Sequence, residues 1–289
     1  MFEIAELDFG AIDTRMGELV DWLSAELDAP RGCCGELDEL TANAAQLTGE
    51  EKLFYILLST HFASPQTARE FHERLDWTGL LQSDTSRVRA VAADFFQERR
   101  LIGDHRRHFR VMPTSEKITY TVEVLDAYKG VMQAYGSQAR FFETDGQPTF
   151  ETLYERMREI TPFQRRLPRF DYLEALARTH NFYVVPDRFF ADEDDGGPRD
   201  GLTYLVLGKR LRHTKGLKTH LVREFPDEWN GAVEAKYRVP QGANLHDVLR
   251  KLEIWTIDRV RGRLPTRQQT APDYVFSLES CLCNWQKGK

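Results

Sequence analysis

The residues best suited to chemistry lie between Asn181 and Gly208, in the stretch NFYVVPDRFFADEDDGGPRDGLTYLVLG. An apolar run from Phe182 to Val185 delivers Pro186-Asp187. The aromatic pair Phe189-Phe190 turns the chain back, and four acids follow: Asp192, Glu193, Asp194 and Asp195. A Gly-Gly-Pro turn then leads into Arg199 and Asp200. A carboxylate flanked by large apolar side chains is partly desolvated, which suits it to acid, base or electrostatic work. Asp187, held after a rigid proline, is the candidate for that role. The acidic run 192–195, taken alone, reads equally as a solvated loop.

The elements that must position this stretch are mostly helical. Val20, Leu23 and Leu27 fall at helical spacing in an opening helix that Pro30-Arg31-Gly32 ends. Thr48-Gly-Glu-Glu51 has the form of a capping box before the apolar set Leu53, Phe54, Ile56 and Leu57. Pro65 suits the first turn of the next helix, where its missing N–H costs nothing. Asp84 or Thr85 caps a helix bearing Val88, Val91, Phe95 and Phe96. Another runs from near Ser115 to Tyr135-Gly136, its glycine a stop signal. Thr149 caps a helix that Thr161-Pro162 interrupts, and a helix with Tyr172, Leu173 and Leu176 follows Pro168. Further helices are predicted at Leu245–Thr256 and Leu278–Gln286. Extended structure is confined to Phe182–Val185, Tyr204–Leu207 and Glu234–Val239, the second fitting a helix as well. The expectation is a mainly α protein in one compact unit, 1–289. Two helical lobes, roughly 46–150 and 151–289 plus the N-terminal helix, are expected around a central cleft.

Bulk composition narrows the class. A chain of 289 residues with 41% hydrophobic content can bury a sizeable core. No apolar run approaches the roughly 20 residues that span a bilayer. The acidic N-terminus lacks the basic start of a secretory signal, so a cytoplasmic protein with no membrane partner is expected. Cys33, Cys34, Cys281 and Cys283 are too few for a disulfide scaffold and lack the spacing of a zinc site, so no metal is expected. A net charge of −6 argues against indiscriminate nucleic-acid binding. Basic segments nevertheless occur at Arg99–Arg110, at Lys209–Arg223 (with Lys209, Arg210 and Lys215), and at Arg259, Arg261, Arg263 and Arg267. They fit a footprint on a phosphate backbone or, more simply, solvated helix faces. No Walker A loop, dinucleotide fingerprint, HExxH or GxSxG occurs, and no cofactor is expected.

A particular order of elements remains. A buried helix ends in LLSTHFASPQTAREFHERL, a later helix leads through Ile160-Thr-Pro and Leu167-Pro168-Arg169 into another, and that one leads to Pro186-Asp187. In this order the chain resembles the helix-hairpin-helix DNA glycosylase superfamily. It resembles more closely the divergent branch called the alpha-glutamyl/putrescinyl thymine pyrophosphorylase family, associated with hypermodified phage DNA and with a neighbouring antiphage DNA glycosylase. The segments carrying that likeness are Tyr135-Gly-Ser-Gln138-Ala-Arg140, the Pro-Asp…Asp-Gly-Gly-Pro-Arg-Asp-Gly stretch, and Leu278-Glu-Ser-Cys-Leu-Cys-Asn284.

The resemblance implies a set of roles. Asp187 would stabilise an oxocarbenium-like charge as a base leaves and orient the attacking water. Leu173 stands where lyase members carry lysine, which implies a monofunctional glycosylase that leaves abasic sites. The target nucleotide would be extruded, with His61 or Gln66 filling the gap unless Gln66 only supports its helix start. Tyr135, Gln138 and Arg140 would read the base. Asp194, Asp195, Arg199 and Glu279 would line the pocket for its decoration, unless Glu279, with Asn284, only ties the C-terminal helix down. Arg165, Arg166 and Arg169 would contact phosphate in place of the hairpin glycines, and Lys209, Arg210 and Lys215 would extend that surface. The leading expectation is excision of a hypermodified pyrimidine from double-stranded phage DNA in antiviral defence, with no obligate protein partner. The alternatives are a base-hypermodification enzyme that replaces pyrophosphate on an activated hydroxymethylpyrimidine, and a non-catalytic DNA-binding module.

Overall fold

The computed structural model describes residues 7–28, 37–98, 111–143, 148–179, 184–193, 196–211, 217–223 and 225–288. The described elements are all helical, as expected, with no strand among the described residues. The helices are α1 (Phe9–Asp28), α2 (Leu37–Ala44), α3 (Gly49–Phe62), α4 (Pro65–His72), α5 (Trp77–Gln82), α6 (Thr85–Glu98), α7 (Thr114–Tyr135) and α8 (Gln138–Phe142). They continue with α9 (Phe150–Arg156), α10 (Arg166–Arg178), α11 (Gly197–Leu207), α12 (Leu217–Arg223), α13 (Phe225–Ala232), α14 (Leu245–Arg261), α15 (Thr266–Gln269) and α16 (Tyr274–Trp285). Two compact units are formed, one from Arg31–Val185 and one from Met1–Pro30 with Pro186–Lys289.

In the Arg31–Val185 unit, α3 is apolar on nearly every side. Leu53, Phe54, Tyr55, Ile56, Leu57, Leu58 and Phe62 are all buried, so α3 must be surrounded. It packs on α2, α4, α5, α8 and α10. The capping box expected at Thr48 does not form: Thr48 makes no side-chain cap hydrogen bond. Glu51 is drawn away instead, accepting from the N–H groups of Trp77 (2.9 Å) and Thr78 (3.2 Å) and lying 3.0 Å from His72 Nε2. The orphan amides of a second helix outcompete the local cap. Neighbouring Glu50 does the same for α8, accepting from the N–H of Gln138 at 2.9 Å and of Ala139 at 3.2 Å. Ala63, at φ 50, ends α3, and Ser64 then caps α4 by accepting from Thr67 N–H, with Pro65 in the first turn as its type predicts. Gly136, at φ 87, ends α7 as expected.

In the other unit, α1 packs on α11, α14 and α16, and α11 packs on α16. Two glycines explain the α11–α16 approach. A Cβ at Gly201 would lie 2.5 Å from the Leu282 carbonyl oxygen, and one at Gly197 would collide with Cys283 Sγ. The Gly-Pro-Arg-Asp-Gly and Cys-Leu-Cys segments are therefore two sides of one helix crossing. Tyr204–Leu207, weighed as extended, is the last part of α11. Glu234–Val239 is a 3-10 turn at Ala235–Tyr237. Arg15 of α1 donates to the carbonyls of Leu205 (2.6 Å) and Val206 (3.0 Å), capping α11 before Gly208 at φ 66.

Candidate functional site

The chain enters the second unit with an unusual segment, 184–193. Val184 and Pro186 are buried, and Asp187 is exposed. Arg188, Phe189, Phe190 and Ala191 are buried again. Phe190 sits in the left-handed region at φ 56, a conformation that costs a non-glycine residue about 1–3 kcal/mol and needs support from its surroundings. Glu253 of α14 supplies it. Its fully buried carboxylate accepts three successive backbone N–H groups, from Phe189, from Phe190 at 2.9 Å and from Ala191 at 3.1 Å. Successive amides around a left-handed residue form an anion-binding concavity, and here a side chain of the same chain fills it.

Charge is concentrated around this anchor. Arg188 Nη2 pairs with Asp192 Oδ1 at 2.5 Å and lies 3.6 Å from Glu253 Oε2, its guanidinium stacked over Phe190 at 4.6 Å. His246, near the start of α14, places Nε2 3.2 Å from Asp192 Oδ2. Burial is the dominant influence on Glu253 and pushes its carboxyl up to about 7. Asp192 adds to the rise, while Arg188 and the backbone amides oppose it. The start of α14 is rigid, because Asn244 and Asp247 form a reciprocal capping box. The result is an exposed carboxylate, Asp187, and an exposed imidazole, His246. Both are borne by elements that one buried ion network joins.

The other predicted residues fall into distinct environments. Arg199 and Glu279 are buried on α11 and α16, in the same unit as Asp187. Lys209 is exposed, and Arg210 is half-buried and donates to the Gln286 carbonyl. Asp194, Asp195 and Lys215 lie outside the described residues, as do Cys33, Cys34, the Arg99–Arg110 segment and Phe182. Cys281 is a buried free thiol that burial pushes up to about 12. The third basic patch is largely neutralised at short range. Arg259 meets Glu234 at 3.4 Å, Arg267 meets Asp28 at 2.8 Å, Arg263 meets Asp13, and Arg261 stacks on Tyr274 at 4.5 Å. A cavity of about 480 Å³ lies beside Glu234, Arg259, Arg261 and Arg263, with Asp258 holding Lys236 and Tyr237 at its wall.

Several residues of the Arg31–Val185 unit depart from their expected roles. Gln138 is fully buried. It accepts from Tyr128 Oη at 2.6 Å and donates to the Glu50 carbonyl at 2.8 Å, so its amide is committed to packing α8 on α3 and α7. Arg169 is fully buried over Tyr154 at 3.9 Å and donates to the carbonyls of Tyr154 and Gln164. Arg166 is buried over Phe170. Neither presents its charge to a phosphate, and of the three hairpin arginines only Arg165 is exposed. Tyr135 is half-buried and donates to Glu159, and Arg140 is exposed. His61 lies 3.0 Å from Thr121 Oγ1 with its ring against Tyr120, and Gln66 is half-buried in the first turn of α4.

Sequence reasoning passed over Glu253, His246 and Arg188. One signal was legible. Leu249, Glu253 and Ile257 share an i, i+4 stripe on an amphipathic helix, so an acid on the buried face requires partners of its own.

The fold and this site define an all-helical protein with a carboxylate and imidazole presented from a buried ion network. The family model for amino acid:DNA transferases matches residues 37–289, and the chain belongs to that family. No curated protein and no solved structure matches the chain. The family assignment corrects the glycosylase reading. A transferase joins an amino acid to DNA, whereas excision would hydrolyse the base away, so neither a hydrolase nor a defence role in base removal follows. The resemblance to the hypermodification branch agrees with the assignment in reaction class; the glycosylase ancestry gains no support from it. The protein is thus an enzyme of a transferase family whose macromolecular partner is DNA. Among the described residues no helix is long and apolar enough to cross a membrane.

Proposed function

We propose that this protein attaches an amino acid, through its amine, to an activated hydroxymethylpyrimidine in DNA of the hypermodified kind that phage genomes carry. In this reaction a C–N bond forms at the exocyclic methylene carbon and its C–O bond to pyrophosphate breaks. Pyrophosphate leaves with the electron pair, and the amine gives up a proton. The family match over 37–289 carries the reading. The exposure of Asp187 on a locked segment supports a place for the chemistry. A carboxylate there stabilises positive charge that develops at the methylene carbon and at the attacking nitrogen, an interaction stronger in the transition state than in the ground state. The exposed cations Arg140, Arg165 and Lys209 are available for phosphate contacts.

The test uses duplex DNA bearing the activated pyrimidine and a mixture of labelled amino acids. Label enters DNA with release of pyrophosphate, and Asp187→Asn lowers the rate by about 10²-fold or more. Alkali-labile sites formed without any amino acid, or DNA that takes up no label, would overturn the assignment.

A further inference from the structure

An amino acid presents its nitrogen as an ammonium at neutral pH, and an ammonium has no lone pair with which to attack. Transfer therefore needs a base beside the incoming amine. Asp187 meets the charge that develops in the transition state, which leaves the proton itself without a stated acceptor.

His246 has the placement that such a base requires. It occupies the second residue of α14, in a helical turn that the Asn244–Asp247 box fixes. Its side chain is 54% exposed, whereas the carboxylate it meets, that of Asp192, is 1% exposed. Asp192 is held in turn: Oδ1 is taken by Arg188 at 2.5 Å, leaving Oδ2 to face His246 Nε2 at 3.2 Å. Arg188 is fixed by stacking on Phe190 and by its approach to Glu253. A neutral imidazole facing a carboxylate favours its hydrogen on the nitrogen nearest that carboxylate, here Nε2 in an ion-pair approach to Asp192. Nδ1 then bears the free lone pair.

We propose that His246 is the general base of the transfer reaction and that Asp192 is its positioning residue; this rests on the amino acid transfer proposed above. The ammonium passes one proton to Nδ1, and the nitrogen lone pair attacks the methylene carbon. The C–O bond breaks, pyrophosphate departs, and the imidazolium formed is stabilised by Asp192. Asp187 and Asp192 flank the stretch Phe189–Ala191 that Glu253 anchors, so the charge-stabilising group and the partner of the proton acceptor belong to one segment. A merely structural His–Asp contact with so exposed an imidazole contributes little to stability. Its removal leaves the fold intact.

The experiment compares two nucleophiles on DNA carrying the activated pyrimidine: glycine, an ammonium at neutral pH, and hydroxylamine, already neutral there. His246→Ala lowers glycine transfer by roughly 10²–10³-fold and leaves hydroxylamine transfer at the wild-type rate. Added imidazole restores glycine transfer to the variant. Asp192→Asn, which leaves the imidazole in place but removes its orienting charge, lowers kcat for glycine and spares hydroxylamine. Equal losses for both nucleophiles, or no loss for glycine, would overturn the role of His246 while leaving the transferase reading in place. A wild-type protein that transfers neither nucleophile would remove both.

Discussion

Replacing Gly201 by alanine tests whether the α11–α16 crossing is as close as the structure has it. The added Cβ would lie 2.5 Å from the Leu282 carbonyl oxygen, 2.8 Å from Leu282 Cβ and 2.9 Å from its carbonyl carbon. None of these is the tip of a flexible side chain, and Leu282 is fully buried. The clash is relieved only by moving α16 as a body, by most of an ångström. Overpacking of that kind costs about 1–3 kcal/mol, occasionally more. Alanine in a helix interior returns about 0.8–1.0 kcal/mol relative to glycine, so the net expectation is a loss of up to about 2 kcal/mol. Gly17→Ala in α1 is the control, because its Cβ meets nothing within 4 Å. It retains the propensity gain alone, so the two variants move in opposite directions. Urea unfolding of both, read by far-UV circular dichroism, gives the comparison through the midpoints at constant slope. A Gly201→Ala protein as stable as Gly17→Ala would refute the close crossing.

Two further outcomes follow from the buried polar groups. Glu253 has its folded-state carboxyl raised to about 7 from an ordinary 4.5, mainly by burial, so the fold favours its protonated form. Its contribution is fully present below about pH 4.5 and is lost as pH rises to about 7, by roughly 3 kcal/mol from the size of that shift. The difference in unfolding free energy between wild type and Glu253→Gln therefore moves in favour of the variant across that window, and a flat difference would refute the raised value. Gln138→Leu orphans part of the Glu50–Gln138–Tyr128 network. It lowers stability by about 2–4 kcal/mol, at 1–3 kcal/mol for each unsatisfied buried group, and leaves the choice of DNA base unchanged in the transfer assay. Altered base preference in a stable variant would return Gln138 to the reading of DNA.

Much of the architecture was legible before any coordinates. The helical repeats of Leu53–Leu57 and Val88–Phe96, the stop at Gly136 and the proline at 65 each act within a turn or two of their own position. Local rules therefore place them. Asp187 was singled out as a carboxylate partly desolvated by its apolar neighbours, and there the local reading failed, because Phe189 and Phe190 turn into the core and leave Asp187 exposed. What the sequence could not show was where a partner far along the chain would draw a side chain. Glu51 completes a capping box on paper, yet the N–H groups of Trp77 and Thr78 claim it. Gln138, Arg166 and Arg169 are polar and sit in suggestive motifs, yet their chemistry is consumed by carbonyls, carboxylates and rings that packing brings to them. Sequence by itself determined most of the helices and several of their ends, because periodicity and backbone chemistry are local. Only the tertiary structure decided which polar groups are spent holding the fold and which, as with His246 beside Asp192, remain exposed. Burial and hydrogen-bond satisfaction are properties of neighbours in space.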